Sequence, residues 1–423
     1  MLMAYGFVNG FPLVYSDSGT YIGSGFGLDA PFDRPITYGI FLRLASLNGL
    51  SLWLAIFFQG LLISGLVQAL CRILFEPKRA PYIALTLLFF TSVFTGFSWV
   101  VSQLIADVFT PIALLTMLLL LLGDYSKPKK IGLYFLFFFS IATHLSHVLL
   151  FVVMIAVTWV VVLFFKDSTL KAKMKSPLLI LLGLTFAAVA TMGSAMSKSK
   201  HVFFMGAMVE HGILKAYLEE NCATKNYQIC AYKDSLPEKG WQFVWNENSP
   251  LYKIGWRESK PEFEEIIHAT FTTHKYILMH VQASLKATIE QLQLFGIGDG
   301  NGAFTEGTGL FKIMQEYLPN EIHSFKESKQ NRGELGFMPV MNHVYSLVVL
   351  LSLLLIIYVG YTYYVRFEPK MRFVLLILLA GILINAWDCG TFANSIDRLG
   401  LKMIWLLPFA TLLLVFKAAE KKV

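Results

Sequence analysis

Residues 106–130 have the sequence ADVFTPIALLTMLLLLLGDYSKPKK, in which an acidic residue, an apolar run and a basic cluster follow one another. The apolar run suits the hydrocarbon core of a membrane, where a helix satisfies its backbone polar groups internally. Lys127, Lys129 and Lys130 indicate the cytoplasmic end, because basic loops stay on that side. The stretch predicts a transmembrane helix over 106–123 with Asp107 at its outer end.

The composition of the whole chain supports a membrane protein. Of its 423 residues 56% are hydrophobic and only 15% are charged, with a mean hydropathy of +0.59, whereas ordinary soluble domains carry about 25% charged residues. The net charge of +7 arises from short basic clusters between apolar runs. Membrane topology explains such clusters better than nucleic acid does, so we expect no nucleic-acid partner and membrane lipid around the chain.

Apolar runs elsewhere predict an all-α polytopic membrane protein with about ten transmembrane helices and one large extracytoplasmic loop. The predicted helices lie near 1–15, 50–74, 81–98, 106–123, 131–147, 148–165, 178–196, 342–363, 373–387 and 403–416. The first is short for a membrane span, which needs about 20 residues.

Basic residues set the predicted orientation. With ten spans, five clusters fall on one side, which is then cytoplasmic, with both termini inside and a bacterial inner membrane as the expected location. The clusters are Arg72/Lys78/Arg79, Lys127/Lys129/Lys130, Lys166/Lys171/Lys173/Lys175, Arg366/Lys370/Arg372 and Lys417/Lys421/Lys422.

The predicted organisation has three parts. Residues 1–196 form an N-terminal transmembrane module with catalytic outer loops, 197–341 form an extracytoplasmic loop or cap, and 342–423 carry the C-terminal transmembrane helices. Cys222 and Cys230 lie close together in the outer loop, and an oxidising compartment favours a disulfide between them.

Two carboxylates at predicted outer helix ends are candidate catalytic residues. Asp17 directly follows the first apolar run, where a carboxylate can deprotonate a hydroxyl or help hold a cation. Asp107 lies at membrane depth, where an ionisable residue is a functional candidate. The alternative is a helix cap, formed by Asp17 or Ser18 in the first case and by Asp107 in the second.

Cations on the outer side are candidate ligands of a phosphate, because they oppose the positive-inside trend. Arg34 precedes a predicted interfacial helix over Pro35–Leu47, with Tyr38, Phe41 and Leu42 facing lipid; the alternative is a snorkelling arginine. The others are Lys198, Lys200, His201, Arg398 and Lys402.

Two further motifs have simpler explanations. His144 and His147 share a helix face, but two ligands are not a metal site, and structural hydrogen bonding is the favoured interpretation. The glycine-rich run 296–302 follows no strand and opens no nucleotide-binding unit, so it is interpreted as a loop.

The arrangement resembles the GT-C class of integral membrane glycosyltransferases, of the protein O-mannosyltransferase or aminoarabinose transferase type. The resemblance covers about the first 200 and the last 40 residues. It consists of Asp17 after the first helix, Arg34-Pro35 opening an interfacial helix, Asp107 in the next outer loop, and Arg398 before Trp405-Leu-Leu-Pro408. Many members have two adjacent acidic residues where Asp17 stands between two serines.

The resemblance implies an inverting hexosyl- or pentosyltransferase. Its donor would be a polyprenyl-phosphate-linked sugar, and its acceptor a glycan, lipid or protein at the extracytoplasmic face. Asp17 would activate the acceptor or organise a metal, Asp107 would be the second carboxylate, and Arg34, Arg398 and Lys402 would bind the carrier phosphate. No cofactor is definite, and a divalent metal stays an open alternative.

Two other functions fit the same topology. An envelope polysaccharide polymerase or ligase would use loop residues such as His201, His211 or Arg257. A lipid or solute transporter would need polar residues along a path through the membrane centre.

Overall fold

The computed structural model describes residues 1–164, 167–363 and 367–420. The fold is 77% helical, and no β-strand occurs among the described residues. Lys166, Arg366, Lys421 and Lys422 of the predicted basic clusters lie outside this part of the chain.

The N-terminal module contains ten α-helices that pack around a buried apolar core. They are α1 Ala4–Asn9, α2 Ser16–Gly27, α3 Thr37–Ala45, α4 Leu52–Leu74, α5 Ala80–Phe94, α6 Phe97–Ser102, α7 Phe109–Leu122, α8 Lys127–Ala142, α9 Leu145–Phe164 and α10 Ser168–Glu210. A short 3-10 turn, Ala106–Val108, leads directly into α7.

The segment predicted to be the outer loop contains helices of 5 to 20 residues, and long apolar helices follow it. All of these helices are given next. They are α11 Ile213–Asn221, α12 Gly240–Trp245, α13 Pro250–Ile254, α14 Lys260–Thr272, α15 His274–Gln293, α16 Gly309–Tyr317, α17 Ile322–Lys326, α18 Met338–Tyr363, α19 Pro369–Phe392, α20 Asp397–Ile404 and α21 Leu406–Glu420. The 3-10 turns Gln228–Ser235 and Pro319–Glu321 complete the loop.

Within the described residues six helices are long and apolar enough to cross a membrane, which confirms a helical membrane protein. They are Leu52–Leu74, Leu145–Phe164, Ser168–Gly193, Met338–Tyr363, Pro369–Phe392 and the continuous pair Asp397–Glu420. Ala80–Phe94 and Ala106–Leu122 are shorter apolar helices.

The prediction of a first helix over 1–15 is wrong. Helix α1 ends at Asn9, because Gly10 adopts the left-handed conformation typical of a helix C-terminus and Pro12 follows. Residues 11–15 then run extended, and Leu13 pairs with Gln103 through backbone bonds to Ser102 and Leu104. A helix of six residues is far too short to span a membrane.

Helix α3 confirms a helix after Pro35, but its buried face differs from the prediction. Tyr38 and Leu42 were expected to face lipid, yet both are fully buried. The Tyr38 hydroxyl donates to Gln59 of α4, whereas Leu44 is the exposed residue of this helix. Helix α3 therefore packs into the bundle.

The outer loop divides into two parts with different cores. Residues 202–283 surround their own apolar cluster, centred on Phe243 and Phe263, and we call this part the cap. Helix α10, predicted to end at 196, continues to Glu210 and joins the cap to the membrane module. Farther along, Ile297, Leu310 and Phe325 belong to the core of the membrane module.

The predicted disulfide is confirmed: Cys222 and Cys230 are bonded within the cap. Cys71 and Cys389 are free and buried in the membrane module.

Candidate functional site

The carboxylate of Asp17 lies between two guanidinium groups. Its Oδ1 is 2.9 Å from Nη1 of Arg34, and its Oδ2 is 2.9 Å from Nη1 of Arg398. Burial disfavours the charged carboxylate, but the two arginines outweigh burial and hold the pKa of Asp17 well below its usual range. Asp17 is therefore an ionised, doubly paired carboxylate.

Asp17 does not cap helix α2, although that was the alternative explanation from sequence. The capping contact comes from Ser18, whose Oγ accepts from the backbone N–H of Tyr15 and donates to the carbonyl of Leu104. Both oxygens of Asp17 instead point to cations on other segments.

Asp107 joins the same group of charges. Arg398 places Nε 3.3 Å from its Oδ2, and Lys402 places Nζ 3.9 Å from its Oδ1. The Lys402 side chain is 0% exposed, and its Nζ makes no hydrogen bond within the described part of the chain. Lys402 therefore lies beside Asp107 without a hydrogen bond, and the donors on its Nζ are unused among the described residues.

The two arginines are fixed by further contacts. Arg34 donates from Nε and Nη2 to Asp33, at 2.9 and 2.7 Å, and its guanidinium lies over the ring of Tyr21. Arg398 lies over the ring of Tyr15, 4.2 Å from the centroid. Aromatic faces favour such cations and hold them in place without neutralising them. We call the six residues Asp17, Asp33, Arg34, Asp107, Arg398 and Lys402 the charged cluster.

Three helix starts meet at the charged cluster. Asp17 lies in the first turn of α2, Asp107 in the turn that opens α7, and Arg398 in the first turn of α20. A helix N-terminus carries a partial positive charge and free backbone N–H groups. The site therefore combines three such termini with three cationic and three acidic side chains, and at the start of α20 the backbone N–H of Arg398 already donates to Asp299.

Buried amides hold the extended segment, residues 11–15, that leads to Asp17. The Gln330 side chain accepts from the N–H of Val14 and donates to its carbonyl. Asn301 donates to the same carbonyl and accepts from Gln103. These contacts satisfy backbone N–H and carbonyl groups that have no hydrogen bond within a helix. Non-helical backbone is therefore tolerated in the buried core.

The structure does not bring all of the predicted phosphate ligands together. Lys198 and Lys200 are exposed on α10, and His201 donates from Nε2 to the carbonyl of Trp256 in the cap. None of the three pairs with the charged cluster among the described contacts. Their positions follow from the unbroken helix α10, which carries them into the cap.

Two residues near the charged cluster were not identified as site residues from the sequence. His144 lies in the turn between α8 and α9, where burial and the charges of Lys402 and Arg398 lower its pKa to about 3. Its Nδ1 accepts from the N–H of Ser146, which leaves the proton of the neutral ring on Nε2.

Asp388 is the second missed residue. It is buried in α19, and its Oδ2 has no hydrogen-bond partner among the described residues. An acidic residue within an apolar run was the available signal, but the run was predicted to end at 387 instead of Phe392.

The residues present do not fit a divalent metal. Asp17 and Asp107 direct their oxygens at cations, and the described residues contain no group of three or more His, Cys, Asp or Glu side chains that could hold a metal ion.

Comparisons with protein-family models, curated proteins and solved structures find no match to this chain.

Proposed function

We propose that this protein is a membrane glycosyltransferase of the GT-C type, with about ten membrane segments, that transfers a sugar from a polyprenyl-phosphate carrier at the extracytoplasmic face. The observation that carries the proposal is the convergence of Asp17, Asp107, Arg34 and Arg398 with Lys402 in one cluster. These residues come from three distant parts of the chain, and each was a candidate on chemical grounds.

The charge balance of the cluster supports a phosphate ligand. Its three carboxylates and three cationic side chains cancel, and the three helix N-termini add partial positive charge. A carrier phosphate would compete with the Asp17 carboxylate for Arg34 and Arg398. Arginine suits this exchange because its planar guanidinium binds carboxylate and phosphate in similar ways.

The same exchange would activate Asp17. While it is paired with two arginines, Asp17 is a weak base because its pKa is lowered. When the donor phosphate takes over the guanidinium groups, the carboxylate loses its counter-charges and its proton affinity rises. Donor binding would thus prepare the base that the acceptor needs.

The transfer would then proceed in one displacement. Asp17 takes the proton of the acceptor hydroxyl, whose oxygen forms a bond to the anomeric carbon. The bond from that carbon to the phosphate oxygen breaks, and the electron pair leaves with the phosphate. Arg398 and Lys402 stabilise the charge that develops there, and attack opposite the leaving group inverts the anomeric centre.

The test is transfer by the full chain in proteoliposomes with polyprenyl-phosphate-linked hexoses and pentoses. Asp17→Asn should abolish transfer while the Cys222–Cys230 disulfide and the thermal unfolding transition persist. Asp29→Asn is the matched control, because Asp29 is exposed in the same outer segment and should keep full activity. Full activity in Asp17→Asn would remove the assigned role. A wild-type protein inactive with every carrier-linked sugar would contradict the function.

One observation favours a transporter as the second candidate. Asp388 and Lys402 are buried in helices that are candidate membrane spans, and ionisable residues at membrane depth often line transport paths. Substrate flux into liposomes that contain this protein and no acceptor would support transport over transfer.

A further inference from the structure

Helix α15 carries a row of exposed apolar side chains, which we call the apolar stripe. Its members are three or four residues apart and therefore share one face of the helix. They are Leu278, Val281, Leu285 and Ile289, and between 48% and 63% of each residue is exposed. A contiguous apolar surface of this kind marks a contact with a partner or a membrane, so the stripe requires an occupant.

Another face of α15 packs against α19, which is one of the candidate membrane spans. The hydroxyl oxygens of Ser284 and Thr391 are 2.8 Å apart. A Cβ atom on Gly390 would lie too close to the carbonyl oxygen of Ala287. Small residues that let two backbones approach in this way are typical of helix pairs in membranes.

Helix α15 runs antiparallel to α19 and descends beside it. Ser284 lies at Thr391 near the end of α19, whereas Leu292 lines a small gap together with Ile382. The rise along α19 from Ile382 to Thr391 is about 13 Å. The second half of the apolar stripe therefore lies at the depth of the outer turns of a candidate membrane span.

A polar flank accompanies the apolar stripe on α15. Lys286 and Glu290 pair at 3.7 Å, with side chains 80% and 49% exposed, and Gln282 is exposed one turn before Lys286. In water the apolar stripe would be left without a partner, and in hydrocarbon these charges would be costly. A helix at the boundary between lipid and water accommodates both.

We propose that α15 lies in the outer membrane interface, where the apolar stripe contacts the acyl chains of phospholipids and the polar flank faces water. Acyl chains are the favoured occupant because the exposed apolar surface continues on the candidate span itself. Leu383, which follows Ile382 at the lower end of the contact with α15, is 52% exposed. The segment 197–341, predicted to be an extracytoplasmic loop, then returns to lipid before α18 begins.

The position of α15 is coupled to the charged cluster. The Gln291 side chain bonds to the backbone N–H and carbonyl of Ile396. The N–H of Gly296 donates to Asp397, the residue before Arg398. Lipid contact on α15 would therefore help to fix the depth of the helix start that carries Arg398. The lipid contact itself does not depend on the transfer activity.

The test measures which medium surrounds each face of α15. Leu285→Cys and Ile289→Cys are spin-labelled in the full-length protein in lipid nanodiscs, and Gln282→Cys on the polar flank is the matched control. The native cysteines are bonded to each other or buried, so the label reports the introduced site. Oxygen, which concentrates in lipid, should relax the labels at 285 and 289 more than a water-soluble nickel complex does. The label at 282 should show the reverse order.

The other outcomes overturn the inference. Stronger relaxation by the nickel complex at 285 and 289 would place the apolar stripe in water. Weak relaxation by both reagents there would show that protein covers the stripe, and crosslinking between labelled chains would then distinguish a second copy from another partner. Agreement of the two stripe positions guards against a local disturbance by either substitution. None of these results requires transfer activity, so the proposed function stands or fails separately.

Discussion

Arg398 is the residue that joins the two carboxylates of the site. Its guanidinium reaches Asp17 through Nη1 and Asp107 through Nε, and it covers Tyr15. Lysine has one ammonium group, which cannot occupy both positions or stack as a plane. The identity of this side chain, and not only its charge, is therefore what the site requires.

We expect Arg398→Lys to lower the free energy of unfolding by about 2 kcal/mol, since a hydrogen bond to a charged group is lost in a buried site. Reversible thermal or urea unfolding in mixed micelles measures the change. Arg332→Lys is the control, because Arg332 is exposed and pairs with Glu327 and Glu334 at the surface. Equal stability of both variants would contradict the joining role.

The lowered pKa of Asp17 predicts a particular dependence of stability on pH. The contribution of Asp17 to the free energy of unfolding is complete above the pKa of about 3.9 that it has in the unfolded chain. This contribution decreases as the pH falls toward the lower pKa of Asp17 in the folded protein. The difference in unfolding free energy between the wild type and Asp17→Asn should therefore be constant from about pH 8 to pH 5 and shrink below about pH 4. Urea titrations across this range measure it. A difference that already falls near about pH 6 would show that the two arginines do not control this carboxylate.

Sequence reasoning found five of the six residues of the charged cluster as site residues. Asp17 and Asp107 were predicted because they lie at the outer ends of predicted helices, and the three cations because they oppose the positive-inside trend. Sequence reasoning could not find the depth of Lys402, which depends on how α19 and α20 pack. The same limit applies to His144, since a histidine in a turn gives no sign of which cations lie beside it. Residue types were thus predictable, whereas their partners depended on tertiary contacts.

At the scale of elements, α2 and α3 position Asp17 and Arg34 by crossing at two glycines. A Cβ atom on Gly39 would overlap the carbonyl oxygen of Tyr21, and one on Gly25 would overlap the backbone of Gly39. Small residues allow such close helix contact in membrane proteins. The crossing sets the distance between the helix that carries Asp17 and the segment that carries Arg34.

We expect Gly39→Ala to destabilise the protein by about 1–3 kcal/mol, because overpacking forces the two backbones apart. Transfer activity should fall as well. Gly65→Ala is the control: a Cβ there meets no atom within 4 Å, so replacing a helical glycine should stabilise by about 0.5–1 kcal/mol. Thermal unfolding of both variants in the same detergent gives the comparison. A stable, active Gly39→Ala protein would show that the crossing is not closely constrained.

The long apolar helices were predictable because lipid imposes a length and a composition on them. The turn between α8 and α9 also lies where two short helices were expected. The error at 1–15 arose because an apolar segment can be either a spanning helix or a buried extended segment. Gly10 and Pro12 were the local signals for a buried extended segment. The side chains of Gln330 and Asn301, which bond to the backbone of this segment, lie about 300 residues away in the chain.

For the molecule as a whole, the two ends of the helix bundle differ in charge pattern. One end has the charged cluster, and α10 and α15 connect it with the cap. At the other end Lys173 pairs with Asp124, and Lys417 bonds to the carbonyl of Leu74 and pairs with Glu368. Met1 lies at the end that has the charged cluster. Its backbone carbonyl accepts a hydrogen bond from Ser98 of α6, and α6 leads to the turn that contains Asp107. Which end of the bundle faces the cytoplasm, and with it the location of both termini, stays a prediction.

Labelling with a membrane-impermeant maleimide tests this arrangement, since the native cysteines are either bonded to each other or buried. A single cysteine is introduced at exposed Asn248 in the cap, at exposed Lys127 at the start of α8, or in a short extension before Met1. We expect Asn248→Cys and the extension to react in intact cells, and Lys127→Cys to react only after permeabilisation. Helix α1 has only six residues and is too short to cross the membrane. The extension should therefore stay on the opposite side of the membrane from Lys127. Labelling of the extension only after permeabilisation would mean that residues 1–15 cross the membrane, and the pairing of Leu13 with Gln103 that places Asp17 beside Arg398 would then be lost.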